Sequence, residues 1–177
     1  AVECLDSDRS DLYYKARDVL INEFGNHHTD ALLCNLQAEI IKLSAPDQSE
    51  EDLAEVKGAY DLVIESNPNT MQKAKALQDL SRFQIYDSRY FVREEGQRHA
   101  REAESLYLSA NEDIRRLACI QNRIFCRIYK DREFPSGDWS QDVKDKHQLE
   151  GIDIIKTEYL PLAKKIGGGQ VSERANY

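Results

Sequence analysis

The sequence predicts an all-α fold of about seven antiparallel helices, either stacked helical hairpins like those of an α-solenoid or a compact helical bundle. Apolar residues recur with the 3.6-residue period of a helix along most of the 177 residues, and strand-like alternation is almost absent. Only 8 Gly and 4 Pro are present, which favours long elements over turns. Helices are predicted to start near residues 11, 30, 50, 71, 91 and 112. This regular spacing favours stacked hairpins, because each hairpin then has nearly the same length.

The first two predicted helices span residues 11–25 and 30–43. In the second, apolar residues occupy two sides, which predicts extensive burial. Gly25 and Asn26 are expected to end the first helix. The predicted inner face of the first helix is formed by Leu12, Ala16, Val19 and Leu20.

The third and fourth helices are separated by the turn at residues 66–69, because the residue before Pro68 is disfavoured in the α region. Ser49 is predicted to cap the third helix, since its hydroxyl can accept a bond from a free backbone N–H. Thr70 opens the fourth. The predicted inward residues are Val56, Tyr60, Val63, Ala76, Leu80 and Phe83.

The fifth helix, residues 91–110, carries mostly small residues on one side, so a neighbouring helix can approach closely. Asn111 is predicted to cap the sixth helix, in which Ile114 and Leu117 face inward. The last helix runs from 141 to 165 and should end or kink near Pro161. We therefore expect one helical domain over residues 1–166 and a flexible tail over 167–177.

Residues 58–69, Gly-Ala-Tyr-Asp-Leu-Val-Ile-Glu-Ser-Asn-Pro-Asn, resemble the second helix of a tetratricopeptide repeat, with its aromatic residue and terminal Asn-Pro. Residues 100–126 are faintly similar. The resemblance implies stacked helical hairpins that bind a peptide or protein. The hairpin period here is near 40 residues instead of 34, and the Trp-Leu-Gly-Tyr pattern is missing, so a relative with longer helices fits better.

The charge distribution restricts the classes of partner. The net charge is −8, which disfavours nucleic acid and anionic membrane surfaces as partners of the whole molecule. Residues 1–88 contain 8 basic against 17 acidic residues, whereas residues 89–177 contain 16 against 15. The acidity therefore lies in the N-terminal half. No run of 18 apolar residues exists, so no membrane span is predicted.

The four cysteines have neither disulfide-scaffold nor zinc-site spacing. Cys119 and Cys126 lie about 10 Å apart along one helix, too far to pair. Cys34 is expected to be a buried hydrophobe, and a pairing of Cys4 stays open. The chain begins at Ala1, which leaves a processed protein and a fragment as alternatives. Localisation is therefore undetermined, with the cytoplasm slightly favoured and secretion open.

Catalytic and metal-binding patterns are not found. Phosphate-binding loops and the Gly-x-Ser-x-Gly nucleophile turn are absent, so no cofactor is predicted. His27 and His28 are interpreted as a solvated pair in a turn. His99, with Glu95 and Glu102 nearby, and His147, with Glu150, are interpreted as solvated or i,i+4 paired residues, because the Glu-x-x-His spacing of di-iron bundles does not occur.

One cluster suggests binding. In the sixth helix, basic residues at i, i+7, i+11 and i+14 fall within an arc of roughly 60°. A solvated helix face is the simpler interpretation, and a patch for an acidic partner segment is the functional one. The predicted partner-binding residues are Arg116, Arg123, Arg127 and Lys130.

These observations favour a non-enzymatic protein interaction module that binds a peptide or protein on a helical surface. The alternative is a secreted helical effector or inhibitor that masks a target protein. An enzyme with a site built from scattered helical residues would have to use His99 or His147, its only candidate histidines.

Overall fold

The computed structural model describes residues 2–42, 50–86, 93–128 and 141–167. Helices account for all regular structure in these ranges, so the predicted all-α fold is confirmed. From Gln141 to Ile166 three helical segments follow one another without interruption and form the seventh helical rod of the described residues. The helices are α1 (Val2–Phe24), α2 (Thr29–Lys42), α3 (Glu50–Glu65), α4 (Thr70–Tyr86), α5 (Arg93–Ser109), α6 (Asp113–Ile128), α7 (Gln141–Ile154), a π-helical turn (Ile155–Tyr159) and α8 (Leu160–Ile166).

The turns after α1, α3 and α5 each contain a residue with a left-handed backbone. These residues are Gly25 (φ 91°), Asn67 (φ 56°) and Asn111 (φ 58°), and they lie 42 and 44 residues apart. Glycine and asparagine adopt this conformation more readily than other residues, so they can end a helix and reverse the chain. The three turns give the helical hairpins α1–α2, α3–α4 and α5–α6 closely similar lengths.

The helices pack in chain order. Each helix contacts the next, and the even-numbered helices α2, α4, α6 and α8 also pack along one another. The core is correspondingly divided into three successive clusters. Leu36, Val56 and Phe83 belong to the cluster between α2, α3 and α4. Tyr107 and Cys119 lie in the next cluster, which joins α4, α5 and α6. The third cluster, with Leu117, Ile120, Ile124, Leu162 and Ala163, joins α6 to α8.

Two glycines allow close contact between helices, as the small-residue stripe of α5 predicts. A Cβ atom at Gly96 would lie 2.8 Å from Cγ1 of Ile85 on α4. A Cβ atom at Gly151 in α7 would lie 2.6 Å from Cγ1 of Ile128 on α6. Side chains larger than hydrogen at these positions would push the paired helices apart.

Three predictions of local structure are wrong. Leu12, Ala16 and Val19 of α1 face solvent, and Ile114 of α6 is exposed as well. Asn111 ends α5 instead of capping α6, because the carbonyl of Glu112 accepts the first helical hydrogen bond, from the N–H of Arg116.

Pro161 is predicted from the sequence to end or kink the last helix. It lies in the first turn of α8, and the helix departs from regular α geometry just before it, in the π-helical turn. The N–H of Leu160 donates to the carbonyl of Ile155, five residues earlier, which places one additional residue in the helix before Pro161. Ser49 and residues 168–177, which were predicted to be a cap and a tail, lie outside the described residues.

Candidate interaction surface

Arg123, the centre of the predicted basic stripe, is buried at the junction of three helical segments. One of its Nη atoms donates to Glu104 on α5 at 2.8 Å and to Glu158 in the π-helical turn at 2.6 Å. The other Nη atom bonds to Glu158 at 2.9 Å. Burial opposes the charge of Arg123, but the ion pairs with Glu158 and Glu104 outweigh burial and raise the pKa of the guanidinium. Arg123 therefore binds carboxylates of its own chain.

The neighbouring arginines of the stripe are also engaged. Arg116 bonds to Asp113 at 2.9 Å. Arg127 contacts Gln97 of α5 at 3.0 Å and Glu150 of α7 at 3.1 Å. Both arginine side chains are mostly buried.

The simpler interpretation of the stripe, a solvated helix face, is therefore wrong for these three arginines. Lys130, the fourth residue of the stripe, lies outside the described residues. The sequence identifies the stripe but cannot show that acidic residues of α5, α7 and the π-helical turn face it. The binding of an acidic partner segment by the basic stripe stays a prediction.

His99 is buried, contrary to the solvated interpretation. Its Nδ1 lies 2.8 Å from Oε1 of Gln84, and its Nε2 lies 3.2 Å from a guanidinium nitrogen of Arg98. Because Gln Oε1 only accepts and arginine only donates, these contacts fit a neutral ring protonated at Nδ1. Burial, together with the charge of Arg98, lowers the pKa of His99 below its usual value.

Two of the other histidines, His147 and His28, also contact neighbouring side chains. His147 is half-buried, with Nδ1 2.9 Å from Arg127 and 3.3 Å from Glu150. His28 stacks on Phe24 with ring centroids 4.8 Å apart, whereas His27 is exposed. Within residues 2–42, 50–86, 93–128 and 141–167, no group of three or more His, Cys, Asp or Glu side chains is arranged to hold a metal ion.

The described cysteines are free thiols. Cys119 and Cys126 are buried, and Cys34 is half-buried where full burial was expected. Burial, with the nearby carboxylates of Glu104 and Asp79, raises the pKa of Cys119 to about 12. Such a thiol is a poor nucleophile at neutral pH. The side chain of Cys4 is not described.

One side of α1 exposes apolar residues. Leu12 and Val19 are 63% and 61% exposed, and Ala16 lies between them on the same side of the helix. Exposed apolar side chains grouped in this way are typical of sites where proteins bind other proteins. We call Leu12, Ala16 and Val19 the α1 stripe. Phe24, which is 65% exposed, lies about 120° around the helix from Leu12 and stacks on His28.

Polar contacts fix the rotation of α1 that exposes this stripe. Tyr14 donates a hydrogen bond to Glu39 of α2 at 2.7 Å, and Arg17 donates to Asn35 of α2 at 2.9 Å. Turning the stripe inward would break both contacts and bury part of the polar face of α1. The α1 stripe is therefore a defined surface of the folded hairpin.

The outward face of α7 and α8 also exposes large apolar residues. Leu149 is 67% exposed, and Ile152 and Leu160 are 41% and 43% exposed. The opposite side of α7 is fixed against α6 by the close approach of Gly151 and the contacts of Glu150. We call Leu149, Ile152 and Leu160 the α7 stripe.

The sequence predicts Leu12, Val19 and Ile152 to be in the core, but all three are exposed. An apolar period shows that residues share one face of a helix, and it does not show whether another helix covers that face.

The comparisons with known proteins add no relative: no protein-family model, curated protein or solved structure matches this chain. Among the described residues, no helix combines the length and apolar character that crossing a bilayer requires.

Proposed function

We propose that this protein is a non-enzymatic interaction module that packs a helix of a protein partner against the α1 stripe. The observation that carries the proposal is the exposure of Leu12 and Val19 on one face of a helix whose rotation is fixed by Tyr14 and Arg17. Apolar residues at i, i+4 and i+7 match the side-chain ridge of an amphipathic helix, which would complete the burial of the stripe.

The packing order supports this proposal. The helices contact one another in chain order, and α1 packs extensively against α2. The outward face of α1 is consequently open to a further helix over residues 9–24. Binding of a peptide by stacked hairpins is also what the tetratricopeptide resemblance of residues 58–69 implies.

The described chemistry gives less support to an enzyme. His99 contacts Gln84 and Arg98, and the thiol of Cys119 has a raised pKa. Neither group adjoins a base or metal ligand set that would activate it for nucleophilic or acid–base catalysis. This statement concerns the described residues only.

Site-specific photo-crosslinking tests the proposed function. A photoreactive phenylalanine analogue at Val19 should give a defined adduct in native extract, and the same analogue at exposed Glu65 of α3 should not. The partner, identified by mass spectrometry and purified, should bind the wild-type chain and lose binding with Leu12→Asp. If position 19 gives no adduct with any protein, including a second copy of the chain, the proposed function is wrong.

A further inference from the structure

Both outermost helices of the array expose apolar residues. In arrays of stacked helical hairpins, the terminal helices normally carry a polar outer face, because no further unit covers them. Here the α1 stripe lies at one end, where α1 packs against α2, and the α7 stripe lies at the other, where α7 packs against α6. Each stripe presents the surface that a further helix of the array would bury.

We infer that the two stripes bind each other in different copies of this chain, so that α1 of one molecule packs against α7 and α8 of the next. This inference rests on the proposed function and identifies the partner as a second copy. The two surfaces differ from each other, so the contact is heterologous. Copies would therefore add head to tail and would not close into a symmetric dimer.

The charges of the two ends support this pairing. The α1 helix, Val2–Phe24, contains six acidic and three basic residues. In residues 141–166, Glu150 and Glu158 are committed to arginines of α6. Lys165 is likewise paired with Asp113 of α6, which leaves four lysines and three aspartates among the other charged residues there. A head-to-tail contact thus places the acidic α1 against a segment with a small positive excess, whereas α1 against α1 would bring two acidic helices together.

The apolar residues of the two stripes also have compatible spacing. Leu12 and Val19 are seven residues apart, which is about 10 Å along a helix. Leu149 and Leu160 are eleven residues apart with a π-helical turn between them, so the α7 stripe is longer. The two helices can interdigitate their side chains over about two turns, the length of the shorter stripe.

Sedimentation velocity on the purified full chain tests the inference. The weight-average mass of the wild type should rise above 20.4 kDa with increasing concentration. Leu12→Asp with Val19→Asp blocks the α1 stripe, and Leu149→Asp with Ile152→Asp blocks the α7 stripe. All four positions are exposed, so both variants should keep the helical circular dichroism of the wild type.

Each blocked variant alone should remain at 20.4 kDa, and an equimolar mixture of the two should form a one-to-one dimer, because each supplies the surface that the other lacks. Leu62→Asp, at an exposed leucine of α3, is the matched control and should associate like the wild type. The inference is overturned if the wild type stays monomeric, if a blocked variant self-associates, if the mixture does not pair, or if the control loses association. A monomeric chain whose position 19 still crosslinks to a different protein would retain the proposed function and overturn only the self-association.

Discussion

Replacing Arg123 with Met should destabilise the fold far more than replacing an exposed arginine. Arg123 has 9% of its side chain exposed and bonds to Glu104 and Glu158, which are 16% and 35% exposed. Removing one partner of a buried ion pair costs about 3–5 kcal/mol, because the remaining charge has lost its counterion. Since Glu158 can reach water, we expect a loss near the lower limit, about 3 kcal/mol.

Urea unfolding followed by circular dichroism measures this loss of free energy. Thermal unfolding gives a second measure, because for a chain of this size a loss of 3 kcal/mol lowers the melting temperature by about 6–12 °C. Arg101→Met, at an exposed position of α5, is the control and should change stability by no more than about 0.5 kcal/mol.

A double-mutant cycle on Arg123 and Glu158 gives their interaction energy directly. Adding Glu158→Gln to Arg123→Met should recover part of the lost stability, because Glu158 would otherwise keep its charge without Arg123, whereas Glu104 still has Arg116 nearby. The reasoning is refuted if Arg123→Met costs less than 1 kcal/mol, the value typical of a surface ion pair. It is equally refuted if the added Glu158→Gln destabilises the variant further.

Three further predictions follow from particular contacts. Gly96→Ala should lose about 1 kcal/mol in urea unfolding, because overpacking against Ile85 outweighs the helical preference of alanine. Gly58→Ala, with nothing within 4 Å of the added Cβ, should instead gain about 1 kcal/mol, and equal gains for both variants would contradict the close approach. The free energy of unfolding should fall as the pH drops below about 6.5, because the unfolded chain protonates His99 more readily than the folded chain does, and His99→Gln should weaken this dependence. Iodoacetamide at pH 8 should label Cys119 only after denaturation, as peptide mass spectrometry would show, and rapid labelling of the native chain would contradict its burial.

The sequence predicts the helices well because helix formation depends largely on local residues. The turn at Asn67 after α3, the departure from regular α-helix before Pro161 and the close packing at Gly96 all follow from the backbone preferences or the size of single residues. The small residues of α5 likewise identify the side that meets α4.

The candidate surface could not be predicted in the same way, because it depends on contacts between distant residues. In α1, apolar residues lie on two faces, and Tyr14 binding Glu39 determines which of them turns outward. The sequence correctly places the arginines of α6 on one face of the helix. It does not predict their environment, because Glu104 and Glu158 belong to other elements. Periodicity within one helix contains no information on either pairing.

The left-handed residues at the three hairpin turns recur at nearly constant spacing. A segment of 42–44 residues, from one such residue to the next, contains an even-numbered helix, the following odd-numbered helix and the turn that ends it. Duplication or grafting of such a segment would keep every helix together with its turn. Gly25, Asn67 and Asn111 are therefore the natural boundaries at which this protein could be lengthened, shortened or recombined.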